Sequence, residues 1–152
     1  MLKIFLISTT WTLVTGLLPW VSLHFDNIST LPWMLLLSRF AFIFAITLPF
    51  DYRDRAIDLS EGTLTIPGWL GWHKSRIIAF VLLGLCHGFE LMSFLSKGYI
   101  SNLTIAFCMT YLLAIALIGF VNPARNARYY AFGIDGLMIA PFMFYWILLK
   151  IG

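Results

Sequence analysis

Five stretches of this chain, at about 3–24, 31–50, 77–96, 102–121 and 131–149, run apolar for roughly 20 residues with at most one charged side chain each. That is the length at which an α-helix crosses a hydrocarbon core. Lipid cannot hydrogen-bond exposed backbone groups, so a segment that spans it must be a helix or a strand of a closed barrel. The runs are continuous rather than alternating, which selects helices. With 61% apolar and only 11% charged residues, no single soluble core could bury the surface. The expectation is an all-α, multi-pass bundle of five transmembrane helices forming one domain over residues 1–152, with the lipid bilayer as its solvent.

The connections give orientation. Polar turns at 24–30 and 97–101 are short, making neighbouring helices antiparallel. The connection at 51–76 is long and charged, and long connections tend to carry function. Five crossings place Lys3, Arg53, Arg55, Lys74, Arg76, Arg125 and Arg128 on one side and leave Lys97 and Lys150 on the other. By the positive-inside rule the long connection faces the cytoplasm and the C-terminus faces outward, as expected in the plasma membrane of a prokaryote. The same rule accounts for the net charge of +3, so nucleic-acid binding is given no weight. The apolar run after Lys3 is read as a retained helix, because it continues to Leu23 and no small-residue cleavage site follows. Trp20, Trp33, Trp69, Trp72, Tyr129, Tyr130 and Trp146 fall near helix ends, the usual place of an interfacial aromatic belt. Cys86 and Cys108 lie inside apolar runs and are expected to pack as small hydrophobes.

Asp51, Asp54 and Asp58 begin the long connection. On a helix their spacings of three and four put them on one face, where like charges repel. A cation between them removes the repulsion, and oxygen ligands select a hard ion such as Mg²⁺. Magnesium commonly completes its shell with water and phosphate oxygens, so a diphosphate is the natural guest. An ordinary solvated acidic turn, balanced by Arg53, Arg55, Lys74 and Arg76, uses the same residues; their place at the end of a membrane helix favours the ion site.

The run Leu48-Pro49-Phe50-Asp51-Tyr52-Arg53-Asp54-Arg55, with Asp58 and then Thr65-Ile66-Pro67 and Leu70-Gly71, resembles the second aspartate motif and trailing loop of the UbiA superfamily of intramembrane prenyltransferases. The resemblance implies that the five helices correspond to the last five of a nine-helix fold. It implies that Asp51, Asp54 and Asp58 are catalytic through a bound Mg²⁺ that bridges to a prenyl diphosphate, with Arg53, Arg55, Lys74 and Arg39 near the substrate. The reaction implied is ionisation of the allylic diphosphate and capture of the cation by a lipophilic acceptor, in a pocket that shields it from water. The family's first aspartate motif does not occur in the 152 residues. An N-terminal half or a separate complementary subunit is therefore expected as partner. Leu64 stands where many relatives have a basic residue before the loop threonine.

Arg39 falls near the middle of the second span, where an unpaired charge costs about 2.5–3.5 kcal/mol on insertion scales. Its expected partner is Glu90 of the third span, at similar depth; the alternative is that it lines the pocket below the aspartates. His87 and Glu90 share a face and are expected to make interhelical hydrogen bonds. Asp135 stands near the cytoplasmic start of the fifth span. Besides the prenyltransferase half, two other functions fit the residues: a non-catalytic membrane protein derived from the same fold, and an unrelated small membrane subunit or cation-binding transporter.

Overall fold

The structure, a computed structural model, describes residues 2–23, 33–97 and 101–151. The predicted turns at 24–30 and 98–100 lie outside them. Among the described residues the chain is helical, without strands. The first span is α1 (Leu2–Thr12), a π-helical segment (Leu13–Leu17) and α2 (Leu18–Leu23). Pro19 cannot donate to the carbonyl four residues back, and just before it the ladder slips by one residue, with the Leu18 N–H bonded to the Leu13 carbonyl.

The second span, α3 (Trp33–Arg53), packs against α1 on one side and against α6 (Trp72–Lys97) on the other. In turn α6 packs on α7 (Asn102–Gly119), and α7 on the last helix, α8 (Ala140–Ile151). Because α3 has neighbours on both sides, 56% of its membrane-length window is buried, against 22%, 22% and 28% for the first span, α6 and α7. The core follows: Phe42 to Ile46 and Leu48 of α3 pack with Ile4, Leu83, Cys86, Tyr111 and Ile118. Outward-facing residues stay apolar and exposed, such as Leu112 and Phe142. Such surfaces suit lipid rather than water.

Among the described residues four helices are long and apolar enough to cross a membrane, and a fifth span is counted if a bent pair is one crossing. That pair is the predicted helix at 131–149. It is broken into a π segment (Tyr129–Ile134), a 3₁₀ turn (Asp135–Met138) and α8, with a 66° bend. Pro141 lacks the N–H that would bond to Leu137, and Gly133 and Gly136 weaken the turns before it.

The connection expected at 51–76 is mostly helical. The second span runs on through Asp51 to Arg53, and α6 starts at Trp72, five residues before the predicted start at 77. Between them lie α4 (Arg55–Ser60) and α5 (Ile66–Leu70). Gly62 and Gly71, at φ 70° and 77°, turn the chain after each, a region open to glycine at little cost. Thr65 caps α5, its hydroxyl accepting from the Gly68 N–H at 3.3 Å.

Candidate functional site

The cap made by α4 and α5 rests on the end of α3 that carries Asp51. The Tyr52 and Trp72 rings stack there, 4.6 Å apart and within 10° of parallel, tying the end of α3 to the start of α6. The helix breaks at Asp54, whose φ and ψ of −87° and 3° put it in a turn. Consequently the three aspartates do not run down one face of one helix, as a single unbroken helix would arrange them. Asp51 and Asp58 are buried, 2% and 7% exposed. Asp54 instead turns to Arg53, with Nε and Nη2 at 2.7 and 3.1 Å from its two carboxylate oxygens. Among the described residues no three His, Cys, Asp or Glu side chains stand close enough to hold a metal ion by themselves.

Asp51 and Asp58 are the two of the three aspartates that are buried. Asp51 feels Asp58 and Asp54 as like charges and Lys3 as an opposite one. Among the described residues Oδ2 of Asp58 is buried with no hydrogen-bond partner, a state that costs on the order of 1–3 kcal/mol or more for a charged group. The Arg53 guanidinium lies over the Phe50 and Tyr130 rings at 5.2 and 4.9 Å. Tyr130 is fixed by donating its hydroxyl to the Asn122 carbonyl at 2.9 Å, so Arg53 is held in place rather than free to sweep the surface. Arg55, at the start of α4, and Lys74, in the first turn of α6, are exposed.

Asp51 opens into a cavity of about 210 Å³ between α1, α3 and the 3₁₀ turn, shared with Lys3, Thr47 and Asp135 and walled by Ile7, Trp11, Ile43, Ile46, Phe50 and Met138. Sequence reading used Lys3 only for orientation and left Asp135 at the margin. The available signal was antiparallel depth: the start of the first span lies level with the end of the second.

Arg39 is not in that cavity. It lines a second one of about 720 Å³, which shares no residue with the first and is bordered by the first span, α3, α6, α7 and Pro141. The expected Arg39–Glu90 ion pair is not formed among the described residues. Both line this cavity, but Arg39 Nε donates to Thr15 Oγ1 at 3.0 Å. Depth along two neighbouring helices suggested Glu90; the π segment of the first span supplies Thr15 instead. Among the described residues the buried Nδ1 of His87 has no hydrogen-bond partner, and its ring stands edge-on to Tyr111 at 6.4 Å. Both cysteines are free, and the Cys86 thiol donates to the Ser38 carbonyl at 3.2 Å. No family model, curated protein or solved structure matches this chain.

Proposed function

We propose that this chain is the C-terminal half of an intramembrane prenyltransferase of the UbiA type. In this reading it moves a polyprenyl group from an allylic diphosphate to an aromatic or other lipophilic acceptor, once completed by an N-terminal half or a separate subunit. The observation that carries the reading is the buried pair Asp51 and Asp58, with the Asp58 Oδ2 orphaned. Two carboxylates suit Mg²⁺, which is commonly held by one or two and finishes its shell with water and phosphate oxygens.

Magnesium, when bound, supplies neutralisation of the charge that grows on the leaving diphosphate. This chain's residues do the remaining work. Asp51 and Asp58 hold the ion at the membrane end of α3. Lys3 offers an ammonium in the Asp51 cavity. Arg53 is kept beside the carboxylates by Asp54 and the two rings. Arg55 on α4 and Lys74 at the start of α6, both exposed, attract the diphosphate from solution. The walls of Ile7, Trp11, Ile43 and Ile46 keep water from the allylic group.

The cap then faces the cytoplasm and the C-terminus the outside. Single cysteines at Ser60 and Gly152 should label from opposite sides, and labelling from one side means that the bent Tyr129–Ile151 pair turns back within the membrane. For the activity, the chain is reconstituted with a complementary N-terminal half. Mg²⁺-dependent prenyl transfer is expected, abolished by Asp51→Asn or Asp58→Asn. Full activity in the double variant contradicts the assignment.

A further inference from the structure

The Arg39 cavity has a separate chemistry. Its volume of about 720 Å³ falls within the range of roughly 300–1,000 Å³ typical of ligand pockets. It is walled mainly by apolar and aromatic side chains. Phe42 and Phe107 each pack against Tyr111, at ring separations of 5.7 and 6.1 Å. Arg39 is part of the same lining and carries a guanidinium with five N–H donors. Thr15 accepts from Nε, and among the described residues no hydrogen bond is made by the two terminal nitrogens. Arg39 and Thr15 both line the cavity.

The first span is π-helical at the point where it supplies Thr15. Such slips are rare and recur at functional positions. This one lets Thr15 fix the guanidinium by one edge while leaving the other edge for a guest. Glu90 lines the same cavity, so an anionic guest would be buried beside a carboxylate as well as beside Arg39, and a like charge adds to the cost of burying it. A neutral oxygen acceptor satisfies the guanidinium without that cost.

We infer that this cavity is a second binding site, separate from the aspartates, for a neutral lipophile whose head carries a carbonyl or hydroxyl oxygen. The oxygen accepts from Arg39, and the body lies against Phe42, Phe107 and Tyr111. Arg39 and Asp51 are 12 residues apart on α3, about 18 Å at roughly 1.5 Å per residue. The inference therefore stands whether or not the aspartates bind a diphosphate.

The test uses the full chain in phosphatidylcholine nanodiscs, with diazirine-bearing hexadecanol, palmitic acid and hexadecane as probes and labelled peptides mapped by mass spectrometry. The alcohol should label α3 and α7 saturably, at least fivefold above the hydrocarbon and above the acid. Arg39→Met should bring the alcohol down to the hydrocarbon level, Arg39→Lys should keep at least half the labelling, and Asp51→Asn should change nothing. Leu103→Trp, which narrows the cavity from α7, should reduce labelling about as far as Arg39→Met, so that a folding defect in one variant does not decide the result. Wild-type labelling in both Arg39→Met and Leu103→Trp overturns the site. Preference for the acid overturns the neutral class, and label confined to lipid-facing positions such as Leu112 and Phe142 overturns both.

Discussion

At the Asp51 end of α3, carboxylates of one sign are buried near one another and a carboxylate oxygen is left without a donor. At the Arg39 end, a guanidinium shares a large cavity with a carboxylate of opposite sign and leans on a threonine hydroxyl. Both ends belong to one helix and both bury charge where it is costly. The first arrangement is rich in carboxylates, with Lys3 as the cation in its cavity, and suits a metal ion with its phosphate. The second sets one guanidinium and one carboxylate on the same lining and suits a neutral oxygen as acceptor. Sign, more than volume, separates the two.

The sharpest way to break that contrast is Asp58→Asn. If Asp58 serves a ligand, the variant should lose Mg²⁺-dependent diphosphate affinity by on the order of a hundredfold, about 2.7 kcal/mol. It should also unfold less readily, by about 1 kcal/mol, because a buried uncompensated charge has gone. Titration calorimetry and denaturant unfolding read the two effects. A loss of stability instead would make Asp58 a structural group.

A smaller effect belongs to the cap. Removing the hydroxyl that bonds to the Gly68 N–H, by Thr65→Ala, should cost about 1 kcal/mol, seen as faster amide exchange over 66–71 with α7 unchanged. Exchange that speeds up in α7 as well would mean that the cap and the bundle unfold as one unit.

The smallest concerns Arg39. Thr15→Val should cost roughly 0.6 kcal/mol, the mean for hydrogen bonds between membrane helices, and that cost should vanish in the Arg39→Met background. An equal cost in both backgrounds removes the Thr15–Arg39 bond from the account.

These outcomes bear on how much of the molecule was legible in its sequence. The spans could be read because a bilayer demands long apolar runs, and α1 to α3, α6 and α7 follow them closely. The α5 turn was also written locally: Thr65 as cap, Pro67 within the first turn and Gly71 at the stop are the residues such a turn requires. Spacing misled at Asp54, because counting in threes and fours assumes that the helix continues, whereas the chain turns there and Arg53 takes its carboxylate. It misled again at 131–149, where apolarity suggested one rod although Gly133, Gly136 and Pro141 mark the break. The partner of Arg39 was hidden for another reason: it depends on a π slip that one residue type alone does not announce, though Gly16 lies within it and Pro19 just past it.

The claim that Asp51 and Asp58 form a diphosphate-dependent ion site can be tested directly by hydrogen exchange on the full chain in nanodiscs. Exchange over residues 54–65 is followed with Mg²⁺ alone, pyrophosphate alone and both together. Protection of that segment is predicted only when both are present, absent in Asp51→Asn and in Asp58→Asn, and undiminished in Arg39→Met. Protection that survives both aspartate variants, or none with Mg²⁺ and pyrophosphate together, would contradict the account.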